Sequence, residues 1–254
     1  MSNTRILRVA GLHAFIGQFY VLHGVDVEVQ NHEIMVLLGR NGAGKTTTLR
    51  CVMGLVRAHE GIVELAGENI KGLPPHEIAN KKCTLVPEDQ GIFSVLTVAE
   101  NLQVAMRPSK AKKEDRRRLD FAMSLFPDLK QAWNRKAGTL SGGQKQMLAL
   151  ARALINENKL MMLDEPSKGL APVVVKGLVP VMKELRTYAS VLLVEQNLSF
   201  ASKVGDAFSI ISDGKTVQSG KMNDLIDAPE TQRMYLGVHM GVRDGGKPWT
   251  SSSS

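Results

Sequence analysis

Apolar and polar residues alternate through Val25-Asp-Val-Glu-Val-Gln30, the two-residue period of a strand with one face in the core. Ile34-Met-Val-Leu-Leu38, Leu160-Met-Met-Leu163 and Val191-Leu-Leu-Val194 are instead apolar at every position. Such runs predict strands covered on both faces, as in parallel sheets. Helical spacing takes over at 46–53, which stops at Gly54, and at 143–155, where Met147, Ala151 and Leu154 or Ile155 share a face. Gly61-Ile-Val-Glu-Leu-Ala-Gly67 reads as a short antiparallel strand. Pro74-Pro75 opens a short helix, and Cys83-Thr-Leu-Val86 is a strand stopped by Pro87. From 97 to 135 the pattern is helical. Thr97 and Glu100 have capping-box spacing, and Leu119, Ala122, Met123 and Phe126 recur at helical intervals. Ser209-Ile-Ile, Asp213-Gly214 and Thr216-Val-Gln predict a hairpin. Strands alternating with helices make this an α/β protein. It has a mixed sheet core with helices on both faces, an antiparallel β portion and a helical insert at about 90–156. The main domain spans 4–240. The Gly-, Pro- and Ser-rich end, 241–254, is expected to be a disordered tail.

Composition narrows this picture by exclusion. Apolar residues make up 43% and charged residues 22% of the 254 positions, which rules out collagen-like, coiled-coil and wholly disordered chains. No apolar run reaches the roughly 18 residues that a membrane span requires. The first residues lack the apolar core of a signal peptide, so a cytosolic chain is expected. In that setting Cys51 and Cys83, the two cysteines, are expected to be reduced and structural. The net charge of +7 is compatible with nucleic acid, an anionic membrane face or nucleotides, and does not choose among them. Much of the excess gathers between Arg107 and Arg118, with Lys110, Lys112, Lys113, Arg116 and Arg117 between them. A solvated helix face is the first reading of that cluster, and a contact with anionic headgroups or a partner the second.

Three motifs carry the chemistry. Gly39-Arg40-Asn41-Gly42-Ala43-Gly44-Lys45-Thr46 matches G-x-x-x-x-G-K-[ST], after a buried strand and before a helix. Glycines let backbone N–H groups converge on phosphate oxygens, and the helix N-terminus adds positive potential. Lys45 is placed to reach the β and γ phosphates of a nucleotide, Thr46 to ligate Mg²⁺, and Thr47 to approach the α phosphate. Leu160-Met-Met-Leu-Asp164-Glu165 ends a buried strand in two carboxylates. Asp164 there can orient the magnesium shell, and Glu165 can polarise the attacking water as general base. Leu140-Ser141-Gly142-Gly143-Gln144 opens the 143–155 helix and makes a second anion-ready helix end. Two phosphate-binding ends imply a γ phosphate gripped from two sides.

This order of motifs, with a helical insert between the first and the last two, resembles the ATP-binding-cassette ATPases, P-loop NTPases of mixed-sheet architecture. The resemblance runs from about Thr4 to Val238. Within that family it is nearest to the ATPase subunits of branched-chain amino-acid importers, the LivF type. The narrower likeness rests on Val86-Pro-Glu-Asp, Leu96-Thr-Val-Ala-Glu-Asn-Leu, Asp164-Glu-Pro-Ser-Lys-Gly-Leu-Ala-Pro172 and Leu193-Val-Glu-Gln-Asn197. Urea and short-chain amide importers share much of this wording. The resemblance implies two cassettes packed head to tail, each ATP between one chain's 39–46 loop and the other's 141–144. It implies a D-loop at 167–170 and, at Glu88, the position that senses the membrane subunit and approaches Mg²⁺.

Three positions depart from the family pattern. Glu88 stands where most cassettes have Gln, with Gln90 nearby as a substitute. Gln196 stands where most have His, and the chain has no histidine between His76 and His239. Gln can donate to a γ phosphate but cannot take up a proton. Ile16 falls near the slot of the adenine-stacking aromatic, which leaves Phe15, Phe19 or Tyr20, with Phe15 preferred. Because Gln196 would leave both sites of a homodimer without the histidine, a heterodimer with a second, His-containing ATPase subunit is expected. Two membrane permeases and, indirectly, an extracytoplasmic solute-binding protein complete the expected partners at the cytoplasmic membrane face, and no nucleic acid. The competing readings are an exporter ATPase, a soluble cassette acting on nucleic acid or ribosomes, and a nucleotide-dependent regulator that barely hydrolyses.

Overall fold

The computed structural model describes residues 5–107 and 112–237. The chain opens with a long hairpin, β1 (Arg5–Ile16) and β2 (Phe19–Gln30). Next come β3 (Ile34–Leu38) and α1 (Lys45–Val52), then β4 (Ala58–Leu65), β5 (Glu68–Asn69), α2 (Pro75–Asn80) and β6 (Cys83–Val86). A helical stretch follows: α3 (Val98–Ala105), α4 (Lys112–Leu125), α5 (Pro127–Gln131) and α6 (Gly142–Leu154). The chain then returns to strands with β7 (Leu160–Asp164), α7 (Pro172–Tyr188), β8 (Ser190–Glu195), α8 (Leu198–Val204), β9 (Ala207–Ser212) and β10 (Lys215–Lys221). The short helices α9 (Met222–Ile226) and α10 (Pro229–Thr231) follow, and a π-helical turn at Gln232–Leu236 closes the described chain.

Two sheets organise these elements. One is antiparallel, in the order β2-β1-β4-β5, and the other has six strands in the order β10-β9-β3-β8-β7-β6. Every pair in the second sheet is parallel except β10 with β9. The wholly apolar strands occupy its centre, and their alternate residues feed two separate cores. Ile34, Val36, Leu38, Met161, Leu163, Val191 and Leu193 face α6, α7 and the other helices. Met35, Leu37, Leu160, Met162, Leu192 and Val194 face the antiparallel sheet, with Leu49, Cys51 and Val52 of α1 between the layers. Period-two geometry therefore demands an apolar residue at every position. Each such leucine contributes about 1.5–3 kcal/mol on burial.

β3 and β6 fall where the sequence places them, and the ends of the other expected elements shift by one to three residues, β2 excepted because it begins at Phe19. The hairpin turn forms at Asp213 and Gly214, both with positive φ (47° and 72°). The Gly61–Gly67 strand starts earlier, at Ala58. β1, the first half of β2, α7 and α8 are not among the elements expected from the sequence, although the buried Leu178, Val181, Met182 and Leu185 of α7 keep helical spacing. β1 is irregular because its pairing with β2 shifts register four times. Pro180 lies inside α7, where a proline argues against a helix interior.

The Thr97–Glu100 capping box forms, with the Glu100 N–H donating to Thr97 Oγ1 at 3.2 Å and the Thr97 N–H to Glu100 Oε2 at 2.7 Å. Both cysteines are buried and free, and burial pushes each thiol up to about 12. The basic cluster is partly consumed internally. Arg107 donates to Ala79 O and Thr84 Oγ1, Arg117 pairs with Glu114, and Arg118 pairs with Asp115. Lys112, Lys113 and Arg116 are exposed on α4, while Lys110 and the 241–254 tail lie outside the described residues.

Candidate active site

The site collects where β3, β7 and β8 end. The run from Ile34 to Leu38 leads into Gly39, and the loop then climbs to Gly44, the N-cap of α1. Backbone shape demands glycine here: a Cβ on Gly39 would lie 2.3 Å from Ile211 O, and one on Gly44 (φ 110°) would lie 2.6 Å from Leu22 Cδ2. No side chain caps α1, so its first N–H groups remain available to an anion. Gly42, Arg40 and Asn41 are exposed at the loop crest, while Ala43 and Thr47 are buried against the core.

Lys45 is 5% exposed and folds back over the loop, donating to Gly39 O at 2.8 Å and Arg40 O at 3.1 Å. Its ammonium also lies 3.5 Å from the Glu165 carboxylate. These are exchangeable partners: phosphate oxygens would offer Lys45 the same acceptors with more charge. Beside it, Thr46 Oγ1 donates to Asp164 Oδ1 at 3.1 Å. Burial, and then the charges of Glu165 and Glu88, hold the Asp164 carboxyl above its ordinary range, while the Thr46 bond opposes that shift. A hydroxyl and a carboxylate converging amid excess negative charge form the hard-oxygen donor set that suits Mg²⁺.

Glu165 follows directly, in the left-handed region at φ 48°, uncommon for a residue with a Cβ. Its N–H donates to Val194 O at 2.9 Å, which locks the turn onto β8 and leaves the carboxylate between Lys45 and Lys168. Lys168 Nζ lies 3.2 Å from Glu165 and 2.6 Å from Glu88. Glu88, exposed after β6, is thereby drawn toward the site, whereas Gln90 lines a cleft with Thr84, Pro87, Arg107 and Arg152. Gln196 is exposed at the end of β8.

Two residues here escape a reading of the sequence. Lys168 sits in the 167–170 stretch, where a lysine signals only a solvated position. Glu195 is 2% exposed and accepts from three backbone N–H groups: Ser167 at 3.0 Å, and Gln196 and Asn197 at 3.2 Å each. Burial raises its pKa in spite of those donors. One carboxylate thus ties the loop after β7 to the loop after β8. A glutamate ending an apolar strand was the available signal, but its partners are distant in sequence.

The remaining residues lie apart. Ser141 caps α6 and forms a full capping box with Gln144: the Gln144 N–H donates to Ser141 Oγ at 3.2 Å, and the Ser141 N–H to Gln144 Oε1 at 3.1 Å. Ser141 and Gly142 are exposed, and a Cβ on Gly143 would lie 2.9 Å from Val174 Cγ1. The principal packing partners of α6 are α3, α4, α5 and β6, and those of α1 are β1, β2 and β7. Phe15, Phe19 and Tyr20 are 41%, 68% and 42% exposed, so they are not core aromatics. One face of Phe15 stacks on Tyr20, with centroids 4.5 Å apart, and its ring meets His59 edge-on.

A family model described as ABC transporter matches residues 22–168. A branched-chain amino acid transport ATP-binding protein of Pseudomonas aeruginosa, BraG, is 40% identical over 225 residues, covering 88% of this chain and 96% of its own length. A probable LivF of Archaeoglobus fulgidus is 35% identical, covering 92% and 99%. The lipopolysaccharide export ATP-binding protein LptB of Haemophilus influenzae is 33% identical, covering 85% and 91%. Among solved structures, an ATP binding subunit of an ABC transporter superposes with TM-score 0.77 at 28% identity, over 91% of this chain and 96% of that one. The ADP conformation of the cassette MJ1267 gives 0.78 at 24% identity over 92% and 99%, a likeness of fold. The chain belongs to the ATP-binding-cassette transporter family. It is a nucleotide-binding ATPase of the P-loop type, with the mixed sheet and helical portion of that fold.

Proposed function

We propose that this chain is the ATP-hydrolysing subunit of an importer for branched-chain or related amino acids. The observation that carries the hydrolytic part is the convergence of Lys45, Thr46, Asp164 and Glu165 at the ends of β3 and β7. The likeness to BraG and LivF supports the substrate class, and the 33% identity to an export ATPase keeps export as the alternative that must be tested.

In this reading residues 39–47 wrap the ATP phosphates and Lys45 exchanges its loop carbonyls for β and γ oxygens. Thr46 and Asp164 hold Mg²⁺, with Glu88 beside them, and the ion when bound neutralises phosphate charge. Glu165 accepts the proton of the attacking water, and Gln196 donates to the γ phosphate. Phe15 offers an aromatic face to the adenine, once Tyr20 yields or from its open side. Residues 141–144 of a second cassette close over the γ phosphate, since α6 of the same chain is packed away from α1. ATP thereby favours the closed dimer and hydrolysis releases it. Gln196 supports a heterodimer with a His-containing partner, bound to two permeases on the cytoplasmic membrane face and served by an external binding protein. Among the described residues no helix is long and apolar enough to cross a membrane.

Mild-detergent capture of the chain from its native membranes, with mass spectrometry, tests this. A second cassette ATPase and two polytopic permeases should co-purify, and reconstituted vesicles should take up leucine in an ATP-dependent way. Recovery of export machinery, or of the chain with nucleic acid alone, refutes the proposal.

A further inference from the structure

Glu88, Asp164 and Glu165 place three carboxylates where a triphosphate must approach, and two lysines answer them. Lys45 is the mobile one, because the phosphates compete for its ammonium. Lys168 is the one that stays. Its N–H donates to Glu165 O at 3.0 Å, and the neighbouring Ser167 N–H is held by buried Glu195. That turn sets the Lys168 ammonium 2.6 Å from Glu88 and 3.2 Å from Glu165, bridging a loop after β6 to the loop after β7. A carboxylate at position 88 without this cation would repel both Glu165 and the incoming phosphates.

We infer that Lys168 is a positioning residue: its ammonium joins the carboxylates of Glu88 and Glu165, and makes a negative residue at position 88 compatible with nucleotide binding. This rests on the site reading above but not on any metal role of Glu88. The pair is half exposed, so its effect is a few-fold rather than a thousand-fold.

The test is a double-mutant cycle read as ATP affinity in EDTA, by displacement of a fluorescent ATP analogue, alongside KM and kcat for ATPase. Lys168→Leu should weaken ATP binding roughly three- to five-fold, as loss of a half-exposed ion pair does. The same change in a Glu88→Gln background should leave affinity within about twofold, and Lys168→Arg should behave as wild type. Lys168 being exposed, none of these variants threatens folding. If Lys168→Leu costs the same in the Glu88→Gln background as in the wild-type chain, the lysine merely attracts anions and the inference falls. It falls equally if Lys168→Leu changes nothing. Glu165→Gln is assayed in parallel: normal turnover there would sink the general-base reading while leaving the binding cycle interpretable.

Discussion

Glu165 sits in a strained left-handed turn, with one lysine on either side of its carboxylate. Strain at such a position persists only where surrounding bonds over-determine it, here the Val194 and Lys168 backbone contacts. If the residue is the base, Glu165→Gln should keep ATP affinity and lower kcat by about 10²–10⁴, the range of general-base contributions. Single-turnover hydrolysis with matched binding data checks this. Lys45→Ala should weaken binding or turnover strongly, and wild-type kinetics there would contradict the phosphate role. Glu195 makes a different prediction. Its pKa is raised on folding, so the unfolded chain releases that proton first as pH rises. The group's contribution to stability is therefore largest at low pH and declines as pH climbs above the ordinary 4.5 toward the raised value. Glu195→Gln removes this slope. The Tm of the variant relative to wild type should rise between about pH 4.5 and the raised value, as read by thermal scans. Sequence spacing marked Glu165 because it follows a strand and a P-loop elsewhere. It marked neither Glu195 nor Lys168, because their partners lie across the fold.

At the scale of elements, two helices begin with the same device. Thr97 and Ser141 each cap a helix and exchange bonds with the third residue on, Glu100 and Gln144. Thr97→Ala should cost about 1 kcal/mol, a fall in Tm of roughly 2–4 °C for a domain of this size, with hydrogen exchange quickening first in α3. At Ser141 the hydroxyl and the N–H are engaged in the cap itself, and under the proposed function this same helix end would meet the γ phosphate of a second cassette. Such local devices are written in three or four adjacent residues, so the box at Thr97 was legible, whereas at Ser141 the sequence shows an anion-ready helix end and the structure adds the capping box. The apolar strands were legible for the same reason, since burial on both faces leaves a run with no polar gap. β1 was not, because its register shifts against β2 break the alternation. Nor was α7, where Pro180 interrupts the helical signal although Leu178, Val181, Met182 and Leu185 still turn inward.

The whole molecule divides its chemistry between two helix starts that pack in different places, α1 between the sheets and α6 among the helices. Under the proposed function the phosphate loop and base lie at one helix start and the signature at the other, which is why a second cassette is expected to complete the site. Light scattering of the Glu165→Gln chain with ATP, alone and with its expected His-containing partner, should give a dimer of high occupancy only in the mixture. The interior is sealed well enough that Cys51 and Cys83 should resist alkylation in the native protein and react when it unfolds, counted by intact mass. Short-range information decided much of this protein: the doubly buried strands, the phosphate loop, the two caps and the carboxylates at the end of β7 each follow from neighbouring residues and the backbone periods they obey. Tertiary structure alone decided which distant groups meet. Lys168 finds Glu88 eighty positions away, and Glu195 holds a turn twenty-eight positions back. Electrostatic and hydrogen-bond partners are chosen by proximity in space, and the folding of the sheet, not the spacing along the chain, sets that proximity.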